Sequence, residues 1–246
     1  MELSVPVLIA GALTIFVAYF VFGVTGFGSS LLAVPVLAHF LPLQSIVPLM
    51  VLLDLTASLL VGHGARRHVH WKEMQWLLPP FVAGIAAGVT LLINLPRDPL
   101  LVGLGVVTLA FGALSALDLP HGRVANRGWA IPSGIVGGTF SALFGTGGPI
   151  YAIYFSRRIR DGAALRATMS AMIVVSTVLR LAFFVATGLL LNPELLALAL
   201  ALAPIMVLGL KAGSRVHRRM PATRLRRAFG AVLVLSGISL LMRAVA

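Results

Sequence analysis

The chain has 246 residues, of which 59% are hydrophobic and 11% charged, and its mean hydropathy is +1.02. That balance excludes a soluble globular domain, and the absence of cysteine excludes disulfides, thiolate metal sites and cysteine nucleophiles together. In a soluble protein a net charge of +12 would point to nucleic acid. Here the basic residues lie between apolar runs, where they record membrane topology and contact with anionic lipid, so no nucleic-acid partner is expected.

Runs long enough to cross a hydrocarbon core, about 20 residues each, follow in chain order at 3–23, 43–62, 74–93, 98–117, 167–191, 194–210 and 228–242. They are continuous and rich in Leu, Ala, Val and Gly, unlike the short alternating strands of a barrel. The expected fold is an all-α polytopic membrane protein, with the lipid bilayer as its surroundings. The opening MELSVPVLIA carries an acid and no basic stretch, so the first run is expected to stay as a membrane segment rather than act as a leader.

The chain also matches itself. GFGSSLLAVP, residues 26–35, aligns with GTGGPIYAIY, residues 145–154, at an offset of 147 − 28 = 119. Further on, Gly84 and Gly88 align with Gly209 and Gly213, Pro96 with Pro221, Gly105 with Gly230 and Gly112 with Gly237, each at 209 − 84 = 125. One transporter domain, 1–246, made of two repeats at about 1–120 and 125–246, is the reading that fits so long a period in a membrane chain.

Loop charge tests the relative orientation of the halves, because cytoplasmic loops collect Lys and Arg. The loop 63–73 holds Arg66, Arg67 and Lys72, and its counterpart at 188–194 only Glu194. Conversely, 156–166 holds Arg157, Arg158, Arg160 and Arg166, while 38–46 holds no Lys, Arg, Asp or Glu. In the third pair, Arg97 is offset by Asp98, against Lys211, Arg215, Arg218, Arg219 and Arg224. Opposite charge bias predicts inverted-topology repeats. Inversion requires an odd number of crossings per half, so the region ahead of each set of three spans must enter and return. The segment 129–155 does so between Arg123 and Arg127 on one flank and Arg157 to Arg160 on the other. Its short arms, 129–144 and 148–155, predict a helical hairpin broken at GTGG; the first half repeats it with arms 3–23 and 29–41 around TGFGSS. Each repeat is then a glycine-broken hairpin plus three transmembrane helices, giving 8 to 10 membrane segments with both termini on the exported side. The pattern leaves room for a homodimer.

Unpaired backbone inside hydrocarbon is tolerated only where it lines a cavity or is buried in protein. Gly147 and Gly148 permit positive φ and close approach of a ligand, and Pro149 suits the first turn of the resumed helix. The free amides and positive dipole end of that half-helix form an anion site. Ser29 and Ser30 occupy the equivalent turn and add hydroxyls. Gly26, Gly28, Ser29, Ser30, Gly145, Thr146, Gly147 and Gly148 are therefore the candidate binding backbone. The wider-spaced pairs Gly84/Gly88 and Gly209/Gly213 suit close helix packing better.

Two ionisable residues fall near the middle of a span, Asp54 and Arg180. The 119 offset places Asp54 opposite Ile173, which is seven residues, nearly two helical turns, from Arg180. The two occupy corresponding faces of corresponding helices. Arg180 offers a planar fork for an anionic group, and Asp54 orients it or carries a coupling proton; a structural ion pair joining the halves is the competing reading. Thr56, Ser58, Thr168, Ser170, Ser176 and Thr177 either line a path or bond their own helix carbonyls. His63, His68 and His70 with Glu73 read as a solvated basic loop rather than a metal site, and no cofactor is expected. Ser29 or Ser30 with His39 makes a weak intramembrane hydrolase, since no nucleophile-elbow motif surrounds either serine.

The stretches GFGSSLLAVPVL, VHWKEMQWLLPP, GTGGPIYAIYF and GAALRATMSAMIVVSTVLRLAFFVATG, with RRMPATRLRRAFG, together resemble the TauE/SafE family of membrane exporters for sulfite and organosulfonates, almost end to end. The resemblance implies an inner-membrane secondary transporter, not an enzyme, that exports a small anion by alternating access with proton coupling. An anion channel is the alternative.

Overall fold

The computed structural model describes residues 5–25, 28–61, 68–116, 126–216, 230 and 233–242. The described residues are helical with short turns, and no strand occurs among them. In chain order the helices are α1 (Val5–Thr25), α2 (Ser29–Leu37), α3 (Leu43–Val61), α4 (Trp71–Asn94), α5 (Arg97–Ala116), α6 (Ala130–Phe144), α7 (Gly148–Arg158), α8 (Gly162–Ala186), α9 (Pro193–Val216) and α10 (Leu233–Met242), with a 3-10 turn, Arg127–Trp129, before α6. Five of them, α1, α3, α4, α8 and α9, are long and apolar enough to cross a membrane. The expected run 98–117 coincides with α5, and α10 lies within the run 228–242.

Among α1 to α9, three helices are short. At 1.5 Å rise per residue α2, α6 and α7 reach roughly 13, 22 and 16 Å, less than a ~30 Å hydrocarbon core. They are short because the sequence stops them. Gly28 ahead of α2 has φ 95° and Gly145 after α6 has φ 70°, left-handed conformations that glycine adopts without Cβ strain. The Gly145 amide still caps α6 on the Ser141 carbonyl (3.0 Å), and the Thr146 amide reaches the Phe140 carbonyl (3.2 Å). Pro149 then sits in the first turn of α7. Gly147 and Gly148 permit positive φ but neither adopts it, φ being −65° at Gly147; the reversal is made at Gly145. Asp161 starts α8 by accepting from the amides of Ala163 (3.2 Å) and Ala164 (3.1 Å).

Packing between the halves follows the glycines. A Cβ placed on Gly84 would run into the Ile135 backbone, and one on Gly88 into that of Thr139, so α4 and α6 meet main chain to main chain. Gly209 meets the Phe16 backbone and Gly213 that of Phe20, which joins α9 to α1 in the same way. Each contact maps onto its partner, since 84 + 125 = 209 with 16 + 119 = 135, and 88 + 125 = 213 with 20 + 119 = 139. Gly105 against the Gly237 carbonyl and Gly112 against the Gly230 carbonyl complete the exchange between α5 and the last helical segment. The first helix of each half thus packs on the fourth helix of the other. Tyr19, Phe81, Tyr154, Phe155 and Phe184 fill the interior, while large apolar residues such as Leu200 and Leu235 point outward, as suits a lipid surround.

A polar cavity between the two helix breaks

The breaks preceding α2 and α7 come together in space. A Cβ on Gly145 would collide with the Ser30 side chain and stand 3.3 Å from Nη1 of Arg180. Beside this meeting point is a cavity of about 40 Å³ lined by residues of both breaks, among them Gly28, Ser29, Ser30, Gly145, Thr146 and Gly148. That volume holds about three waters. Both positive dipole ends lie at the cavity. In α2 the amide ladder starts at Leu32 on the Gly28 carbonyl (3.3 Å). In α7 Pro149 has no amide and Ile150 already bonds the Gly147 carbonyl (3.1 Å), so Gly148 is the first-turn residue of α7 whose amide is left to the cavity.

Asp54 from α3 and Arg180 from α8 face each other across the cavity, 5% and 4% exposed. Arg180 Nη2 stands 3.5 Å from Asp54 Oδ2, and Nη1 donates to the Ser141 carbonyl at 3.3 Å. Its Nε is buried with no partner among the described residues. Three hydroxyls converge on the carboxylate: Tyr19 at 2.8 Å and Ser29 at 2.7 Å on Oδ1, Ser30 at 2.9 Å on Oδ2. The Ser29 and Ser30 hydroxyls are thus held by an internal anion in this conformation. Ile173, which the 119 offset sets opposite Asp54, also lines the cavity.

Of the hydroxyl candidates, Ser176 and Thr177 reach the cavity. Ser176 pairs with Ser141 at 3.0 Å, whereas Thr177 bonds the Ile173 carbonyl; Thr56, Ser58 and Thr168 likewise bond carbonyls of their own helices. His39 lies beyond the far end of α2 from Ser29 and Ser30, with Nδ1 at the Pro35 carbonyl and Nε2 at Ser239 Oγ. Glu73 departs from expectation. It is a buried residue of the first turn of α4, held by Arg158 and Tyr154, not part of a solvated loop. Gly26 lies outside the described residues, as do His63, Arg66, Arg67, Arg123, Arg218, Arg219, Pro221 and Arg224.

Tyr19 and Ser141 are site residues that spacing did not single out. A signal existed for the first: the chain has only three tyrosines, and a phenol in an apolar span requires a hydrogen-bond partner there. Ser141 contributes its carbonyl to Arg180, and no side-chain pattern reports a carbonyl.

The sequence profile of the sulfite exporter TauE/SafE family matches residues 11–240. The chain belongs to the TauE/SafE family. It is 33% identical over 199 residues to the probable inner membrane transporter protein TsaS of Comamonas testosteroni, covering 78% of this chain and 81% of that protein. It is 28% identical over 229 residues to the probable sulfite/organosulfonate exporter TauE of Cupriavidus necator, covering 90% of this chain and 89% of that one. No solved structure matches. The family is one of membrane transporters, and the match includes both helix breaks, Asp54 and Arg180.

Proposed function

We propose that this TauE/SafE member is a secondary transporter of the inner membrane that exports a small oxyanion, sulfite or an organosulfonate, by alternating access with proton coupling. The observation that carries the reading is Arg180, a buried guanidinium whose Nε has no partner among the described residues, beside a cavity bounded by two helix N-termini. Arg180, the amides and hydroxyls of residues 28–30, the Thr146 hydroxyl and the Gly148 amide bind the anion, the Gly145 and Thr146 amides being held by α6 carbonyls. Asp54 holds Arg180 and the serine hydroxyls while the site is empty, and carries the coupling proton when the substrate displaces it. The name of the family and that of the Cupriavidus necator relative favour the sulfur oxyanion class.

The two halves are inverted repeats, with both termini on the exported side. The reciprocal glycine contacts and the opposed loop charges support this arrangement. In the cysteine-free chain, single cysteines at Lys72 and Leu191 are expected to label from opposite faces. Labelling from one face only would remove the inversion.

The functional test is flux from proteoliposomes loaded with sulfite, sulfoacetate or taurine under an imposed pH gradient. Efflux that depends on the gradient and disappears in Arg180→Ala supports the proposal. No flux of any of these anions, or flux unchanged in Arg180→Ala, rejects it. Flux indifferent to the gradient assigns a channel at the same site.

A further inference from the structure

The two ends of the repeat pair are closed by different chemistry. Where α7 ends, Glu73 accepts from Arg158 twice, at 3.1 Å from Nε and 2.7 Å from Nη2, and from Tyr154 at 3.0 Å; Arg127 Nη2 stands 3.5 Å away. These four residues tie together the start of α4, the end of α7 and the turn that leads into α6. The repeat offsets carry Arg127 to Leu8 (127 − 119), Tyr154 to Pro35 (154 − 119), Arg158 to His39 (158 − 119) and Glu73 to Leu198 (73 + 125). At that equivalent place is an apolar crevice of about 30 Å³, lined by Leu8, Leu37, Phe40, Leu198 and Leu202 among others. One half-helix is fastened at this end by a charge network; at the equivalent end of its counterpart His39 Nε2 meets Ser239 Oγ at 3.0 Å beside the apolar crevice, with no carboxylate among the residues lining it.

The fastened half-helix, like α2, also lines the cavity. Pro149 and Tyr151 at the start of α7 face the cavity, and Tyr154 and Arg158 at its other end hold Glu73. From Pro149 to Arg158 is nine residues, roughly 14 Å of helix. The Gly145–Gly147 break is the hinge at one end of this lever, and Glu73 pins the other. The pin sits on a rigid base, because α4 and α6 pack backbone to backbone at Gly84 and Gly88.

We propose that Glu73, with Arg127, Tyr154 and Arg158, is the latch that shuts the arginine-rich mouth of the cavity, and that its release lets α7 swing to admit an anion from that side. Glu73 occupies the arginines in the closed state; an incoming oxyanion offers them another pair of acceptor oxygens and so competes for the latch. The inference rests on the reading of the cavity as the translocation site.

The test uses the absence of native cysteine. Thr177→Cys places a reporter thiol in the cavity wall, at a hydroxyl that bonds only its own helix carbonyl. In sealed proteoliposomes of known orientation, the rate of modification by a membrane-impermeant methanethiosulfonate is read from each face. Glu73→Gln is expected to raise the rate from the arginine-rich face about tenfold or more, as loss of a bond between charged groups allows, and not from the other face. Arg158→Gln is expected to act in the same direction, and Leu198→Ala to leave that face unchanged. Should Glu73→Gln fail to elute as a folded species, Arg158→Lys, which keeps charge but loses the fork, reads the same quantity. Unchanged access in these latch variants, or an equal rise from both faces, overturns the latch. Thiol access needs no transported substrate, so this result stands apart from the flux experiment: an intact latch response with no flux would reject the substrate reading and not the gate.

Discussion

Asp54 and Arg180, 126 residues apart in the chain, meet at 3.5 Å between the two helix breaks. Each comes from the third helix of its half, and each is buried in a span that otherwise carries no charge near it. Removing one partner strands the other. Asp54→Asn and Arg180→Gln are each expected to destabilise the fold by about 3–5 kcal/mol, and the double variant by clearly less than the sum. Unfolding in detergent measured for all four proteins gives the coupling directly; additive losses would show that the pair does not interact energetically.

Gly145 carries the reversal at the second break with φ 70°, and its Cα faces the Ser30 side chain. Gly145→Ala adds a left-handed penalty of about 1–2 kcal/mol and drives a methyl into Ser30. The expected result is a lowered melting temperature and loss of anion flux, whereas Gly128→Ala, with nothing within 4 Å of its added methyl, is expected to change neither. Wild-type flux in Gly145→Ala would mean that the breaks need not touch for function.

Gly84 and Gly209 occupy equivalent contacts, one against Ile135 and the other against Phe16. Overpacking of about 1–3 kcal/mol is expected from Gly84→Ala and from Gly209→Ala alike. Thermal unfolding of the two variants side by side checks it; a loss in one with no change in the other would show that the geometric exchange is not an energetic one.

The Tyr19 hydroxyl donates to Asp54 at 2.8 Å from a fully buried ring. Tyr19→Phe keeps the ring and removes the donor, at a cost of about 1.5 kcal/mol, the low end for a bond to a charged group, because Ser29, Ser30 and Arg180 still serve the carboxylate. Adding Ser30→Ala is expected to cost more than the two single changes together. Equilibrium unfolding of the single and double variants measures both.

The class of the molecule and the positions of its breaks were written in contiguous residues. Continuous apolar runs, the glycine clusters near Gly28 and Gly145, and two charges that hydrocarbon does not tolerate without partners are local facts, and the 125 offset set Gly84 and Gly88 against Gly209 and Gly213 without any coordinates. The role of Gly84, Gly88, Gly209 and Gly213 as packing surfaces was legible for the same reason, since spacing on a helix fixes which face a residue shares.

Only the tertiary structure decided which distant residues meet. Tyr19 and the Ser141 carbonyl joined the site because α1 and α6 happen to cross beside α3 and α8, a matter of side-chain volumes and crossing angles that no spacing encodes. Glu73 reads in sequence as one charge in a basic loop. It became a buried anchor because Arg158, 85 residues later, has a fork of the right shape and the close packing of α4 on α6 brings the two helix ends together. Sequence determined what each segment must bury; the fold determined against whom, because a buried charge selects its partner by geometry and not by distance along the chain.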